Sequence, residues 1–263
     1  MAIDLKWDIT YNCNLMCDHC INGHYLNHRD KELSFHDIRK IIDLIHEKVG
    51  IRKIQFLGGE PLTRNDFIDV LKYLDDRGIL FGFNTNGLLI NSKMLERLGS
   101  LQHFEAIILS LEGPNEEIND AIRGKKVYNI LMDRIKLLIR YKKSNPAAKF
   151  KVCINTVITS QNYMYTTEMS ELLRKEEVDE WILLQFIEEG NGVGKHLSLD
   201  KDQLLELVKM VAEEYTEHKD EKLVISPKFV RPMAIDYAKE CLELEFPEIA
   251  HGCGAGSTLA FLV

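Results

Sequence analysis

Three cysteines fall within eight residues, in the run Cys13-Asn14-Leu15-Met16-Cys17-Asp18-His19-Cys20. That spacing holds three thiols close together on one loop. Three thiolates can grip three corners of a cubane 4Fe–4S cluster and leave the fourth iron without a protein ligand. An open metal position is where a substrate or cofactor can bind. No fourth cysteine lies nearby, the next being Cys153. The alternative is a zinc site made of the three cysteines with His19 or His24, because structural zinc takes four closed nitrogen and sulfur ligands.

The chain around this loop has 263 residues, is 45% hydrophobic and 28% charged, and carries a net charge of −8. That is the composition of an ordinary globular protein, with length for one large α/β domain or two small ones. The negative balance argues against a broad nucleic-acid footprint. No apolar run reaches the roughly 18 residues of a membrane span. The first residues, Met1-Ala2-Ile3-Asp4-Leu5-Lys6-Trp7, lack the charged-then-apolar form of a signal peptide. Six cysteines, clustered rather than dispersed, fit metal binding in a reducing compartment better than a disulfide framework. The expectation is a cytoplasmic protein with no nucleic-acid partner and no membrane span.

The elements that must position the loop alternate along the chain. Ile3, Leu5, Trp7 and Ile9 alternate with polar residues as a strand does, and feed directly into the cysteines. A polar loop runs from Gly23 to Lys31. Ile38, Ile41, Ile42, Ile45 and Val49 share one helical face between Ser34 and Gly50. Strands are expected at 53–57, 79–83, 105–109, 150–157 and 180–186. Helices are expected at 65–77, 92–98, 127–143, 163–175 and 199–218. The acidic pairs Glu116-Glu117 and Glu188-Glu189 read as solvated loops. Such alternation predicts parallel βαβ units. Six units are too few for a closed eight-unit barrel. The expected fold is α/β, a partial (β/α)6 TIM-like barrel over 1–222 with a short C-terminal extension over 223–263. In that extension Val224 and Ile225 could extend a strand, 232–244 looks helical, and 259–263 is an apolar strand-like run.

Ligands of α/β folds sit at the carboxyl ends of the strands, and the informative residues lie there. The C-x-x-x-C-x-x-C run follows the first strand. Gly58-Gly59-Glu60-Pro61 follows the second, Asn84-Thr85-Asn86-Gly87 the third, and Ser110-Leu111-Glu112-Gly113 the fourth. Together, collinear over residues 5–190, these resemble the signature of the radical SAM superfamily. The resemblance implies that Cys13, Cys17 and Cys20 hold a 4Fe–4S cluster whose open iron binds S-adenosylmethionine. It implies that Gly58, Gly59, Glu60 and Pro61 engage the methionine amino group. Asn86 would lie under the cofactor and Ser110 near its ribose and carboxylate. Glu112 stands where the family usually has Asp. Arg123 resembles an arginine that pairs with the cofactor carboxylate, which suits a guanidinium fork. His19 takes the place of an aromatic that lies against adenine. Asn155 is expected to face the barrel interior, and Gln185 and Phe186 lie where the family's backbone grips adenine.

Near the end, Gly252-Cys253-Gly254-Ala255-Gly256 resembles the opening of a SPASM or twitch extension, common in peptide-modifying enzymes. Cys253 would then begin an auxiliary iron–sulfur site that this sequence does not complete, as if the domain were cut short. Cys241 sits on a helix-like face, and Cys153 reads as core.

The reading is a radical SAM oxidoreductase or maturase that cleaves S-adenosylmethionine reductively and takes a hydrogen atom from a peptide or protein. Its implied partners are a flavodoxin- or ferredoxin-type electron donor and a separate leader-peptide-binding protein, since the chain begins only about a dozen residues before the cysteines. A tetrapyrrole or other small cofactor precursor is the alternative substrate. A catalytically inactive zinc or iron–sulfur scaffold or electron carrier is the alternative of another class.

Overall fold

The computed structural model describes residues 2–27 and 32–228, positions 239, 242, 243 and 245, and the backbone of 259–262. The chain runs β1 (Ile3–Asp8), α1 (Phe35–Val49), β2 (Ile51–Leu57), α2 (Phe67–Asp75), β3 (Leu80–Thr85), α3 (Ser92–Gly99) and β4 (Phe104–Ser110). It continues through α4 (Glu116–Arg123), α5 (Val127–Ser144), β5 (Lys151–Ile158), α6 (Thr166–Lys175), β6 (Glu180–Gln185), α7 (Lys201–His218), β7 (Val224–Pro227) and β8 (Leu259–Leu262). The strands form one sheet in the order β7-β6-β5-β4-β3-β2-β1-β8. Every neighbouring pair is parallel. The sheet is a partial TIM-like barrel, as the alternation predicts.

Local chemistry explains the boundaries. Ser34 caps α1 by accepting from the Asp37 N–H, and Gly50 ends the helix at φ 75°. Asp200 and Gln203 form a reciprocal capping box at the start of α7. Each strand divides its residues between two faces. Leu5, Trp7, Ile54, Phe56, Phe81, Phe83, Ile107, Leu109, Val152 and Ile154 point to the helices and are buried. Phe56, Phe67 and Phe83 meet edge to face, with centroids 5.5 and 5.3 Å apart. The opposite face carries Lys6, Gln55, Asn84, Ser110 and Asn155, and Gln55 Nε2 donates to Asn84 Oδ1 at 2.8 Å. Asn155 thus lies on the interior face, as its alternation with Ile154 and Thr156 predicts. Cys153 shares that face and is buried, and burial pushes its thiol up to about 12.

The extension adds two strands where strand-like runs were expected, β7 beside β6 and β8 beside β1. Two expectations change. Asn84 and Thr85 belong to β3 rather than to the loop after it. The Glu116-Glu117 pair is not a solvated loop but the first turn of α4. Asn115 caps that turn through the Ile118 N–H, and acidic side chains there face the positive end of the helix dipole. The helix expected over 232–244 falls almost entirely outside the described residues, as do Cys241, Cys253 and the end of the polar loop at 28–31.

The end of the barrel away from the cysteines is tied by Asp179, just before β6. Its carboxylate accepts from the Val152 N–H at 2.7 Å, pairs with Lys142, and lies 3.2 Å from Lys222 Nζ. Its backbone bonds to Val152 and Val224 link the starts of β5, β6 and β7. Burial opposes its ionisation, but the Lys142 and Val152 bonds outweigh burial and hold the carboxyl below its ordinary 3.8. Asp179→Asn is therefore expected to lower the unfolding free energy by about 1–3 kcal/mol at neutral pH. A carboxyl depressed in the folded state stabilises fully above its unfolded pKa, and that contribution fades as pH falls through the folded value. Urea unfolding should show a gap between wild type and variant that is widest at neutral pH and narrows in acid. An equal gap at both would show that the carboxylate charge is not the cause.

Candidate metal and cofactor site

The cysteine loop, from Ile9 to Leu26, has no helix or strand of its own. Its backbone groups are met by turns at the carboxyl ends of other strands. The Gly59 N–H donates to Thr10 O at 2.8 Å and the Glu60 N–H to Asn12 O at 2.6 Å. Asn22 Nδ2 donates to Gly58 O at 3.3 Å. This is why glycines stand after β2. A Cβ at Gly58 would overlap Thr10 O, one at Gly59 would overlap Asn12 O, and Gly58 has φ 122°. Asn86 Nδ2 after β3 donates to Asn14 Oδ1 at 2.6 Å. The end of α4 completes the cradle. The Asp18 N–H donates to Ile122 O at 2.9 Å, and Cys17 Sγ lies 3.8 Å from Arg123 O.

Glu60 is buried under this junction. Its carboxylate accepts from Thr85 Oγ1 at 2.8 Å, from the Leu62 N–H at 3.0 Å and from the Asn86 N–H at 2.7 Å. Burial raises its pKa, with the three bonds opposing. A carboxylate has about four acceptor positions, so about one stays open. Pro61 follows as the first residue of a 3-10 turn, where its missing N–H costs nothing.

A buried charge cluster lies beside Cys17. Glu112, 1% exposed, accepts from Arg123 Nη1 at 2.8 Å and lies 3.4 Å from His19 Nε2 through the same oxygen. Its other oxygen accepts from the Val157 N–H at 2.8 Å. Burial would raise the Glu112 pKa, but His19 and Arg123 outweigh it and hold the carboxyl down. Burial works against the Arg123 cation too, but Cys17 once it is a thiolate, and the bonded Glu112 carboxylate, outweigh burial and raise it. Burial pushes the Cys13 thiol up to about 11 and raises Cys17 and Cys20. A metal that binds them must therefore displace protons.

The residues fit the group that the sequence implies. Among the described residues, five buried side-chain polar atoms have no hydrogen-bond partner: Asp4 Oδ1, His19 Nδ1, Arg123 Nε, Arg134 Nε and Asn155 Oδ1. Such orphans are rare and mark a missing partner. Three of the five belong to residues expected to touch the cofactor. Arg123 in particular keeps an unused donor on a fork suited to a carboxylate. No three His, Cys, Asp or Glu side chains among the described residues converge to hold a single metal ion. A cubane asks for no such convergence, because it spreads its thiolates over separate irons. His19, one of the two histidines that a zinc site would recruit, is instead engaged with Glu112.

Other residues fall differently. Ser110 ends β4 on the interior face, paired in register with Asn155. Gln185 is exposed at the end of β6, and none of its described contacts reaches the cysteine loop. That link comes six residues later, from Asn191, which the sequence reading did not single out. Nothing in a Gly-Asn-Gly turn marks its asparagine as anything but a turn former.

Residues 7–173 match the family model described as the radical SAM superfamily. The chain belongs to the radical SAM superfamily. It is 33% identical over 171 residues to the mycofactocin maturase MftC of Mycolicibacterium smegmatis, covering 65% of this chain and 41% of that one. It is 24% identical over 268 residues to the AdoMet-dependent heme synthase of Methanosarcina barkeri, covering 98% of this chain and 73% of that one. The fold is similar to that of Streptococcus suis SuiB bound to the precursor peptide SuiA. The TM-score is 0.77 at 20% identity, over 99% of this chain and 57% of that one. SuiB bound to S-adenosylmethionine gives a TM-score of 0.74 at 20% identity, over 99% and 58%. The chain thus spans less than half the length of the curated maturase it matches. Membership implies a 4Fe–4S cluster and S-adenosylmethionine as cofactors. Among the described residues no helix is long and apolar enough to cross a membrane.

Glu112→Gln should leave the Arg123 cation buried without its counter-charge, a change that costs about 3–5 kcal/mol in buried pairs. Denaturant unfolding of the metal-free chain reads that loss directly. Arg123→Met combined with Glu112→Gln should recover part of it, because neither charge is then stranded. A loss below about 1 kcal/mol for Glu112→Gln would mean that solvent, not Arg123, balances this carboxylate.

Proposed function

We propose that this chain is the catalytic core of a radical SAM enzyme that modifies a peptide or protein. The observation that carries the proposal is a convergence at one end of the barrel. Three thiols on one loop, a charged cluster and three orphaned buried polar atoms meet there. In this reading Cys13, Cys17 and Cys20 hold the 4Fe–4S cluster. With S-adenosylmethionine bound, the cluster would supply one-electron reductive cleavage of that cofactor and, through it, hydrogen-atom abstraction from a substrate C–H bond.

The rest is the work of this chain's residues. The Gly58–Pro61 turn and Glu60 offer backbone groups and an open acceptor position to the cofactor's amino group. Arg123, aimed by Glu112, offers its remaining donors to the cofactor carboxylate. Asn86 holds the cysteine loop from below through Asn14. Ser110 and Asn155 sit side by side on the interior face, where they can meet the ribose. His19 presents a flat ring for adenine, and the loop after Gln185 presents backbone. Residues 1–222 form the core in this reading and 223–263 open a C-terminal extension. Cys253 would be the first ligand of an auxiliary iron–sulfur cluster there.

A peptide substrate is supported by the maturase relative and by the likeness to a fold solved with a precursor peptide. A flavodoxin- or ferredoxin-type electron donor, a separate leader-peptide-binding protein and a cytoplasmic setting complete the proposal. The heme synthase relative favours a second reading, in which the substrate is a tetrapyrrole, because that match spans nearly the whole chain.

Anaerobic reconstitution tests the core chemistry. The chain should take up about four irons, and with dithionite and S-adenosylmethionine it should form 5′-deoxyadenosine. Cys13→Ala, Cys17→Ala and Cys20→Ala should each abolish that product. Zinc in place of iron, or deoxyadenosine that persists in the variants, would remove the assignment. Incubation with candidate precursor peptides and with porphyrin precursors, read by mass spectrometry, separates the two substrate readings.

A further inference from the structure

Among the described residues the sheet is open: β1 and β6 lie on opposite flanks, separated by β2 to β5, and no ladder bonds join them. Across the mouth between these flanks one residue makes two bonds. The Asn191 N–H donates to Cys20 O at 3.0 Å, and Asn191 Nδ2 donates to Cys17 O at 3.1 Å. The longer of the two spans 174 positions of sequence. Both accepting carbonyls belong to cysteines of the candidate cluster, so a single residue, through its backbone N–H and its side chain, holds the two ends of that turn.

The contact is built for close approach. Gly190 holds φ 59°, and a Cβ there would overlap Cys20 O and Ile21 O. Only backbone can come this near to the turn, and Asn191 is delivered from that backbone. A carboxylate in its place would set negative charge against the Cys17 carbonyl oxygen. A second link crosses the same gap, Lys195 to Asp18 at 3.1 Å, but both partners are about half exposed. Exposed pairs of that kind contribute little.

We propose that Asn191 is a positioning residue for the turn that carries Cys17 and Cys20, closing the open barrel over the cluster. The proposal rests on the reading of those cysteines as cluster ligands. Groups that orient metal ligands from outside the coordination sphere raise metal affinity without touching the metal. Asn191 acts in that way through the peptide carbonyls rather than through sulfur. It also couples the turn to the loop after β6, so that both sides of the mouth move as one.

The test uses the full chain with Asn191→Ala, Asn191→Asp and, as a control, Lys195→Ala. Asn191→Asp keeps size and the backbone bond, so it stands in if the alanine variant fails to fold. Thermal melting of the metal-free chains checks that each folds. Reconstituted protein is then challenged with an iron chelator and, separately, reduced for electron paramagnetic resonance. Both Asn191 variants should release iron about tenfold faster than wild type. Their reduced clusters should give a shifted signal, while Lys195→Ala matches wild type in both. Hydrogen exchange at the Asp18 and Cys20 amides of the metal-free Asn191→Asp chain should also quicken. Iron release and spectra unchanged in both Asn191 variants would overturn the proposal. A wild-type chain that binds no iron would instead remove the cluster reading and this inference with it.

Discussion

The upper face of this barrel depends on one constraint: a loop without secondary structure must still satisfy its buried backbone groups. The cysteine loop meets that constraint by borrowing. Thr10 O and Asn12 O take N–H groups from the turn after β2, Asp18 gives its N–H to the end of α4, and Asn14 takes the Asn86 amide. Each bond is worth about 1 kcal/mol net, yet breaking one strands a buried group at greater cost. The loop therefore has its shape only when β2, β3 and α4 are already in place. A metal site on such a loop is a product of tertiary folding, and metal binding and folding are thermodynamically linked.

The charged cluster is a different kind of investment in the same face. Glu112, Arg123 and His19 are held in the interior, where a paired charge is weak evidence of stabilisation. A core of the same volume built from apolar residues would serve stability as well. The arrangement makes sense as preorganisation, with Arg123 already fixed and still owning an unused donor. Stability comes from elsewhere. The aromatic contacts among Phe56, Phe67 and Phe83 fill the layer between sheet and helices. Asp179 fastens the strands at the far end. The charged cluster and these stabilising contacts thus occupy opposite ends and opposite faces of the same strands.

What was legible in the sequence follows from locality. The three cysteines, Gly58-Gly59-Glu60-Pro61 and the alternation of strands with helices are short-range patterns, and each predicted its place in the fold. Glu60 was legible as a candidate, but its bonds to Thr85 and Asn86 were not, since they cross between loops. The short helix α4 escaped because its eight residues carry two acids at the front, and their mean hydropathy hides the amphipathic turn. Its role was equally hidden: its last carbonyls receive the cysteine loop, a contact more than a hundred residues long in sequence. Asn191 was the least legible of all. Its residue type signals a turn, and only the closing of the barrel brings it to Cys17 and Cys20.

The same argument explains why sequence reading thins at the substrate. A strand presents alternate residues to two environments. Those facing the helices, such as Ile54, Phe56, Phe81 and Phe83, are fixed by close packing, and a change of one methylene is felt there. Those facing the interior, such as Lys6, Gln55, Asn84 and Asn155, have no such obligation to the core. They also come singly, one or two per strand, so no local motif joins them. Gln55 and Asn84 meet only because β2 and β3 lie side by side. Interior-facing residues are thus the ones that helix packing constrains least and that the sequence scatters most widely.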